Sequence, residues 1–136
     1  MIEDPGSKSD ECRQILVVED DSELAGMLDY FLRSRGYRVT SVSNGVDGLR
    51  AAMTEDYDAI LCDMVMPLMA GDMFYLAVRR VRPHLCERFV FVTAHQEQPR
   101  VKEFLNQVQE TVLRKPFNLD DLAAVLERLF RARARR

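Results

Sequence analysis

Five polar side chains stand where short apolar runs end, and their types define a chemistry. Ile15-Leu16-Val17-Val18 runs into Glu19-Asp20, and Ala59-Ile60-Leu61-Cys62 runs into Asp63. Phe89-Val90-Phe91-Val92 ends at Thr93, and Thr111-Val112-Leu113 stands just before Lys115. Three carboxylates gathered in one place repel one another, which raises pKa values and costs stability. A hard divalent cation relieves that repulsion, and Mg²⁺ favours one or two carboxylates together with waters and phosphate oxygens. Mg²⁺ and the Lys115 ammonium would neutralise a phosphoryl group, and the Thr93 hydroxyl would donate a hydrogen bond to it. Phosphoryl transfer needs mainly positioning and charge neutralisation. One of the carboxylates can serve as its nucleophile and form an aspartyl phosphate.

The elements that must position these residues follow from spacing. The four apolar runs and Tyr37–Val42 read as five strands. Leu24, Leu28, Phe31 and Leu32 recur at helical spacing behind an Asp21-Ser22 cap, and Gly36 ends that helix. Asn44-Gly45 reads as a turn, and Val46, Leu49 and Met53 mark a second helix. Met73, Phe74, Ala77, Val78 and Val81 give a third, stopped by Pro83. Val101, Leu105 and Val108 suggest a fourth, more polar helix. Leu119, Leu122, Leu126 and Leu129 give a fifth, capped by Asn118. Five repeats of strand then helix predict an α/β fold, a doubly wound five-stranded parallel sheet. Right-handed crossovers restrict the winding. In such folds the site lies beyond the carboxyl ends of the strands, which is where all five polar residues fall.

The chain has 136 residues, 47% hydrophobic and 30% charged, with a net charge of −3. That is the size of one domain and is large enough to bury a core without staples. An acidic balance argues against a dedicated nucleic-acid binder. No signal peptide and no run of about 18 apolar residues is present, so neither export nor membrane insertion is expected. Cys12, Cys62 and Cys86 lack CxxC spacing and read as free thiols in a reducing cytoplasm. Cys62 is expected to face the core as an inert small hydrophobe. His84 and His95 are too isolated for a zinc site. The basic residues are 16 Arg and three Lys, and four of the Arg lie in the last six positions. That basic end suits the C-terminus of a solvated helix. Lys115 stands out among the bases, because a compact ammonium suits a buried phosphate as a point charge.

Four motifs in order carry a resemblance to a known family. They are Leu16-Val17-Val18-Glu19-Asp20-Asp21, then Cys62-Asp63-Met64-Val65-Met66-Pro67-Leu68-Met69-Ala70-Gly71, then Val92-Thr93-Ala94, and Lys115-Pro116-Phe117. Together they resemble the receiver domain of two-component response regulators, a (βα)5 flavodoxin-like fold. The resemblance covers roughly residues 13–131 and leaves an N-terminal tail over 1–12 and a basic C-terminal tail over 132–136. It implies that Asp63 accepts phosphate from a histidine kinase or phosphotransfer protein. Asp20, Asp63 and the backbone carbonyl of Val65 would bind Mg²⁺, with Glu19 contacting it through water. Thr93 and Lys115 would contact the phosphoryl oxygens, and the Lys115-Pro116 bond would be cis. Activity would be limited to self-catalysed phosphoryl acceptance and slow autodephosphorylation, with no further enzymatic function.

Some positions depart from that family's pattern. Val112 stands three residues before the Lys, where most members carry Tyr or Phe, and it is too small and too stiff at χ1 to swing as an aromatic does. The segment around it looks more like receivers attached to hybrid histidine kinases. Val65 and His95 occupy the two positions that flank the hydrolytic water; Val65 cannot orient that water, whereas the His95 ring could. A dehalogenase-type phosphatase would want a second Asp where Val65 stands, and no GxxxxGK[ST] loop is present for a nucleotide. The Met1 start and basic end lead to the expectation of a free-standing cytoplasmic regulator, monomeric or weakly dimeric, signalling by protein contact or shuttling phosphate. The alternatives are a receiver excised from a hybrid kinase, and a phosphorylation-independent interaction module that keeps the pocket as a relic.

Overall fold

The computed structural model describes residues 13–134. The expected tail over 1–12, the Cys12 thiol and Arg135-Arg136 lie outside them. Five strands alternate with five helices: β1 (Gln14–Val18), α1 (Ser22–Ser34), β2 (Arg38–Val42), α2 (Gly45–Thr54), β3 (Ala59–Asp63), α3 (Gly71–Val81), β4 (Phe89–Thr93), α4 (Pro99–Gln107), β5 (Thr111–Arg114) and α5 (Leu119–Ala134). All pairings are parallel and the order is β2-β1-β3-β4-β5. The chain therefore reverses its direction of travel across the sheet between β1 and β3, and a crevice opens at their carboxyl ends.

Alternation along the central strands builds two cores. Leu16, Val18, Ile60, Cys62, Phe89 and Phe91 face α2, α3 and α4, meeting Ala52, Phe74, Val78 and Phe104. Ile15, Val17, Ala59, Leu61, Val90 and Val92 face α1 and α5, meeting Leu28, Leu32, Leu122 and Leu126. Burial on both faces is why β1, β3 and β4 read as continuous apolar runs. The doubly wound sheet expected from the sequence is the one observed.

Register then aligns the polar residues. Val18 pairs with Cys62, so Glu19 and Asp63 follow side by side. Asp63 pairs with Val92, one residue before Thr93. Thr93 pairs with Arg114, one residue before Lys115.

Several local expectations need correction. Asn44-Gly45 is a helix start rather than a free-standing turn: the Asn44 side chain accepts a hydrogen bond from the Asp47 amide at 2.9 Å and caps α2. A 3-10 helix over Pro83–Arg88, not expected from the sequence, follows α3 and buries Leu85 and Cys86. Val101 and Leu105 lie on α4 as expected and Val108 is its C-cap; Leu105 and Val108 are half-buried against the core, while Phe104, not singled out from the sequence, is the residue buried beside Val101, because residues three apart share a helix face. Helix α5 continues past residue 131, and Arg133 is not a solvated end: its guanidinium donates to the Asp58 carbonyl at 2.9 Å. The caps expected at Asp21 and Asn118 are present. Asp21 accepts from the Glu23 and Leu24 amides at 3.0 and 3.2 Å, and Asn118 accepts from the Asp121 amide at 2.8 Å.

Candidate functional site

The crevice brings Glu19, Asp20, Asp63, Thr93 and Lys115 together. Glu19, Asp63 and Thr93 are buried, and Asp20 stands exposed at the rim. One carboxylate oxygen from each of Glu19, Asp20 and Asp63 lies within 4.8 Å of the others. Lys115 Nζ reaches in from the loop after β5, 2.8 Å from Glu19 Oε1 and 3.4 Å from Asp63 Oδ2. Its backbone N–H donates to the Thr93 carbonyl at 2.8 Å, which ties the loop to the end of β4. The Lys115-Pro116 peptide is cis, as the resemblance implied.

Electrostatics follow from burial. Desolvation pushes the Glu19 carboxyl up to about 7; the hydrogen bond from Lys115 opposes the rise and the charge of Asp63 adds to it. Burial works against the Lys115 ammonium, but the Glu19 hydrogen bond and the Asp63 charge outweigh it and hold its pKa above the ordinary value. Three close carboxylates and one ammonium leave excess negative charge, and the donors are all hard oxygens. That set fits Mg²⁺.

Neighbouring backbone completes the pocket. The Asp21 amide donates to Glu19 Oε2 at 3.2 Å, and the Val65 amide approaches Asp63 Oδ1 at 3.4 Å. Thr93 Oγ1 accepts from the His95 amide at 2.9 Å. Val65 presents an exposed side chain at the mouth. The His95 ring is engaged at Nδ1 by the Gln98 amide at 3.1 Å. Cys62 is fully buried, and desolvation raises its thiol well above the usual value, so it is an inert core residue as expected. An apolar recess of about 600 Å³, lined by Leu24, Met27, Ala94, Pro116 and Phe117 among others, opens beside Lys115.

Gly71 has a positioning role that sequence reasoning quoted within a motif but did not explain. A Cβ there would collide with the Asp63 carbonyl oxygen, and the Gly71 amide donates to the Met64 carbonyl at 3.0 Å. Helix α3 can start this close to the end of β3 only on a glycine.

Known proteins place this geometry. The response regulator receiver domain family matches residues 15–127, and the chain belongs to it. The transcriptional activator protein PfeR of Pseudomonas aeruginosa is 34% identical over 118 residues, covering 87% of this chain and 38% of its own length. The response regulator ArlR of Staphylococcus aureus is 29% identical over 118 residues, covering 87% of this chain and 52% of its own. The chain thus spans between about a third and a half of these curated relatives. Among solved structures, the receiver domain of the sensor histidine kinase PA1611 from Pseudomonas aeruginosa superposes with a TM-score of 0.78 and 31% identity, covering 87% of this chain and 97% of that one. That structure holds a magnesium ion coordinated in its active-site cleft. The chain is a two-component receiver domain with an acidic pocket suited to Mg²⁺. Among its described residues no helix is long and apolar enough to cross a membrane.

Proposed function

We propose that this receiver accepts a phosphoryl group on Asp63 from a histidine kinase or histidine phosphotransfer protein. The observation that carries this reading is the Lys115 ammonium held between two buried carboxylates, Glu19 and Asp63, at the mouth of the β1/β3 crevice. An Asp63 carboxylate oxygen attacks phosphorus, the P–N bond to the donor imidazole breaks, and the released nitrogen takes a proton from water. Lys115, already 3.4 Å from Asp63, neutralises one phosphoryl oxygen. The Thr93 hydroxyl, which accepts from the His95 amide, keeps its own proton to donate to another. Asp20, Asp63 and the Val65 carbonyl would hold Mg²⁺, with Glu19 contacting it through water, and the ion would supply the remaining positive charge.

Slow loss of the phosphoryl group to water would follow acceptance. The Val65 side chain offers no polar atom to orient that water, and the His95 ring points its Nδ1 toward the Gln98 side chain. The apolar recess beside Lys115 suits a partner helix that delivers phosphohistidine, and output is by protein contact in the cytoplasm. Incubation with acetyl phosphate and Mg²⁺ should add one phosphoryl mass. The gain should vanish in chelator and in Asp63→Ala. No gain under saturating conditions, or a gain that survives Asp63→Ala, would overturn the reading.

A further inference from the structure

Helix α2 opens against its own propensity. Gly45 and Gly48 fall within its first four residues, and glycine is a poor helix former. Gly48 has a core reason. A Cβ there would stand 3.2 Å from the Val18 side chain and 3.3 Å from the Phe74 ring. Gly45 has a different one. A Cβ there would overlap the Met69 carbonyl oxygen and come within 2.7 Å of the Met69 Cβ. No rotamer change relieves that overlap, because a carbonyl oxygen and a Cβ move only with their backbone. The first residue of α2 is thus the seat of the loop that follows β3.

That loop depends on being seated. The Met69 amide donates to the Pro67 carbonyl at 2.8 Å across Leu68, whose φ is 69°. A three-residue turn with positive φ at its centre is strained, and such strain persists only where the surroundings over-determine it. Leu68 is itself largely exposed and supplies little packing. The constraints come from its C-terminal side. The Met69 backbone rests on Gly45, its half-buried side chain packs on the core, and the Gly71 amide donates to the Met64 carbonyl at 3.0 Å. The near end of the same loop carries Val65, whose amide approaches Asp63 Oδ1 at 3.4 Å.

We propose that Gly45 is a positioning residue for the metal pocket: by seating Met69 it fixes the β3–α3 loop, and so holds the Val65 carbonyl where Mg²⁺ would meet it. The metal half rests on the reading of the pocket given above; the seat half does not.

The test sets wild type beside Gly45→Ala, Gly48→Ala and Met69→Gly. Mg²⁺ affinity is read by titration calorimetry at a temperature where circular dichroism shows each chain folded. Amide hydrogen exchange over 64–71 is read without metal. Gly45→Ala should speed loop exchange and weaken Mg²⁺ binding about tenfold, the scale for losing a group that supports a metal ligand from behind. Gly48→Ala meets core side chains instead, and should leave both readouts near wild type whatever it does to the unfolding midpoint. Met69→Gly removes the Cβ seated on Gly45 without adding an atom, should repeat the effects of Gly45→Ala, and decides the matter if Gly45→Ala does not fold. Wild-type exchange in Gly45→Ala and Met69→Gly overturns the seat, as do equal effects in Gly48→Ala, which would mark a general loosening of α2. Faster loop exchange with unchanged Mg²⁺ affinity overturns the positioning role. If wild type takes up no Mg²⁺, the metal half falls together with the reading of the pocket, and the exchange comparison still decides the seat.

Discussion

Glu19 is the site residue whose charge state the fold has changed most visibly. Its folded pKa of about 7 lies above the ordinary 4.5, because burial penalises the carboxylate. The metal-free folded state therefore binds more protons than the unfolded chain between those values, and its stability should fall as pH rises from about 4.5 to about 7. Urea denaturation in chelator at pH 5 and pH 8 checks this; a higher midpoint at pH 8 would contradict it. Lys115→Met removes the one ammonium bonded to Glu19 and Asp63. It should slow acetyl phosphate labelling on the order of 10²-fold, the scale expected for losing a preorganised charge-stabilising donor. Val65→Asn places an amide two residues from Asp63, the proposed acceptor, and should shorten phosphoryl lifetime, timed by decay of the mass gain; an unchanged rate would sink that role for position 65. The identities of the five pocket residues were legible because each polar side chain interrupts an apolar strand at the same edge. The pairing of Lys115 with Glu19 as well as Asp63 was not legible, since it depends on strand register. The close approach at Gly71 was hidden for a similar reason, because it depends on where α3 packs.

At the scale of elements, the loop between β3 and α3 carries a local conflict. Leu68 adopts φ 69°, a left-handed conformation that disfavours a side chain, and is 80% exposed. With little packing to lose, Leu68→Gly should raise stability by about 1 kcal/mol, read as a shift in the thermal or urea midpoint. The strands and four of the five helices were legible from periodicity. Helix α4 was legible from Val101 and Leu105, both of which pack on the core, but its buried Phe104 was not singled out, because a short, polar sequence allows more than one apolar stripe. Asn44 reads equally as a turn residue and as a cap; only the helix that follows decides between them. The 3-10 helix after Pro83 left no periodic signal, being too short to show one.

Across the whole molecule, the imbalance of Arg over Lys has a structural side. At the amino ends of the strands, Arg82 donates to the Ala52 and Glu55 carbonyls, Arg88 to the Tyr57 carbonyl and Asp56, and Arg133 to the Asp58 carbonyl. Forked guanidinium groups suit such multiple backbone contacts. At the carboxyl ends, where a compact charge is wanted, the base is Lys115. One end of the sheet is stapled and the other carries the chemistry. The chemistry itself is decided by locating the phosphoryl group. After labelling with acetyl phosphate and Mg²⁺, acid digestion with pepsin and fragmentation mass spectrometry should place it on the peptide that contains Asp63, and on that residue. A label on His84, His95 or another carboxylate, or no label at all, would contradict the assignment of this crevice as a phosphoacceptor site.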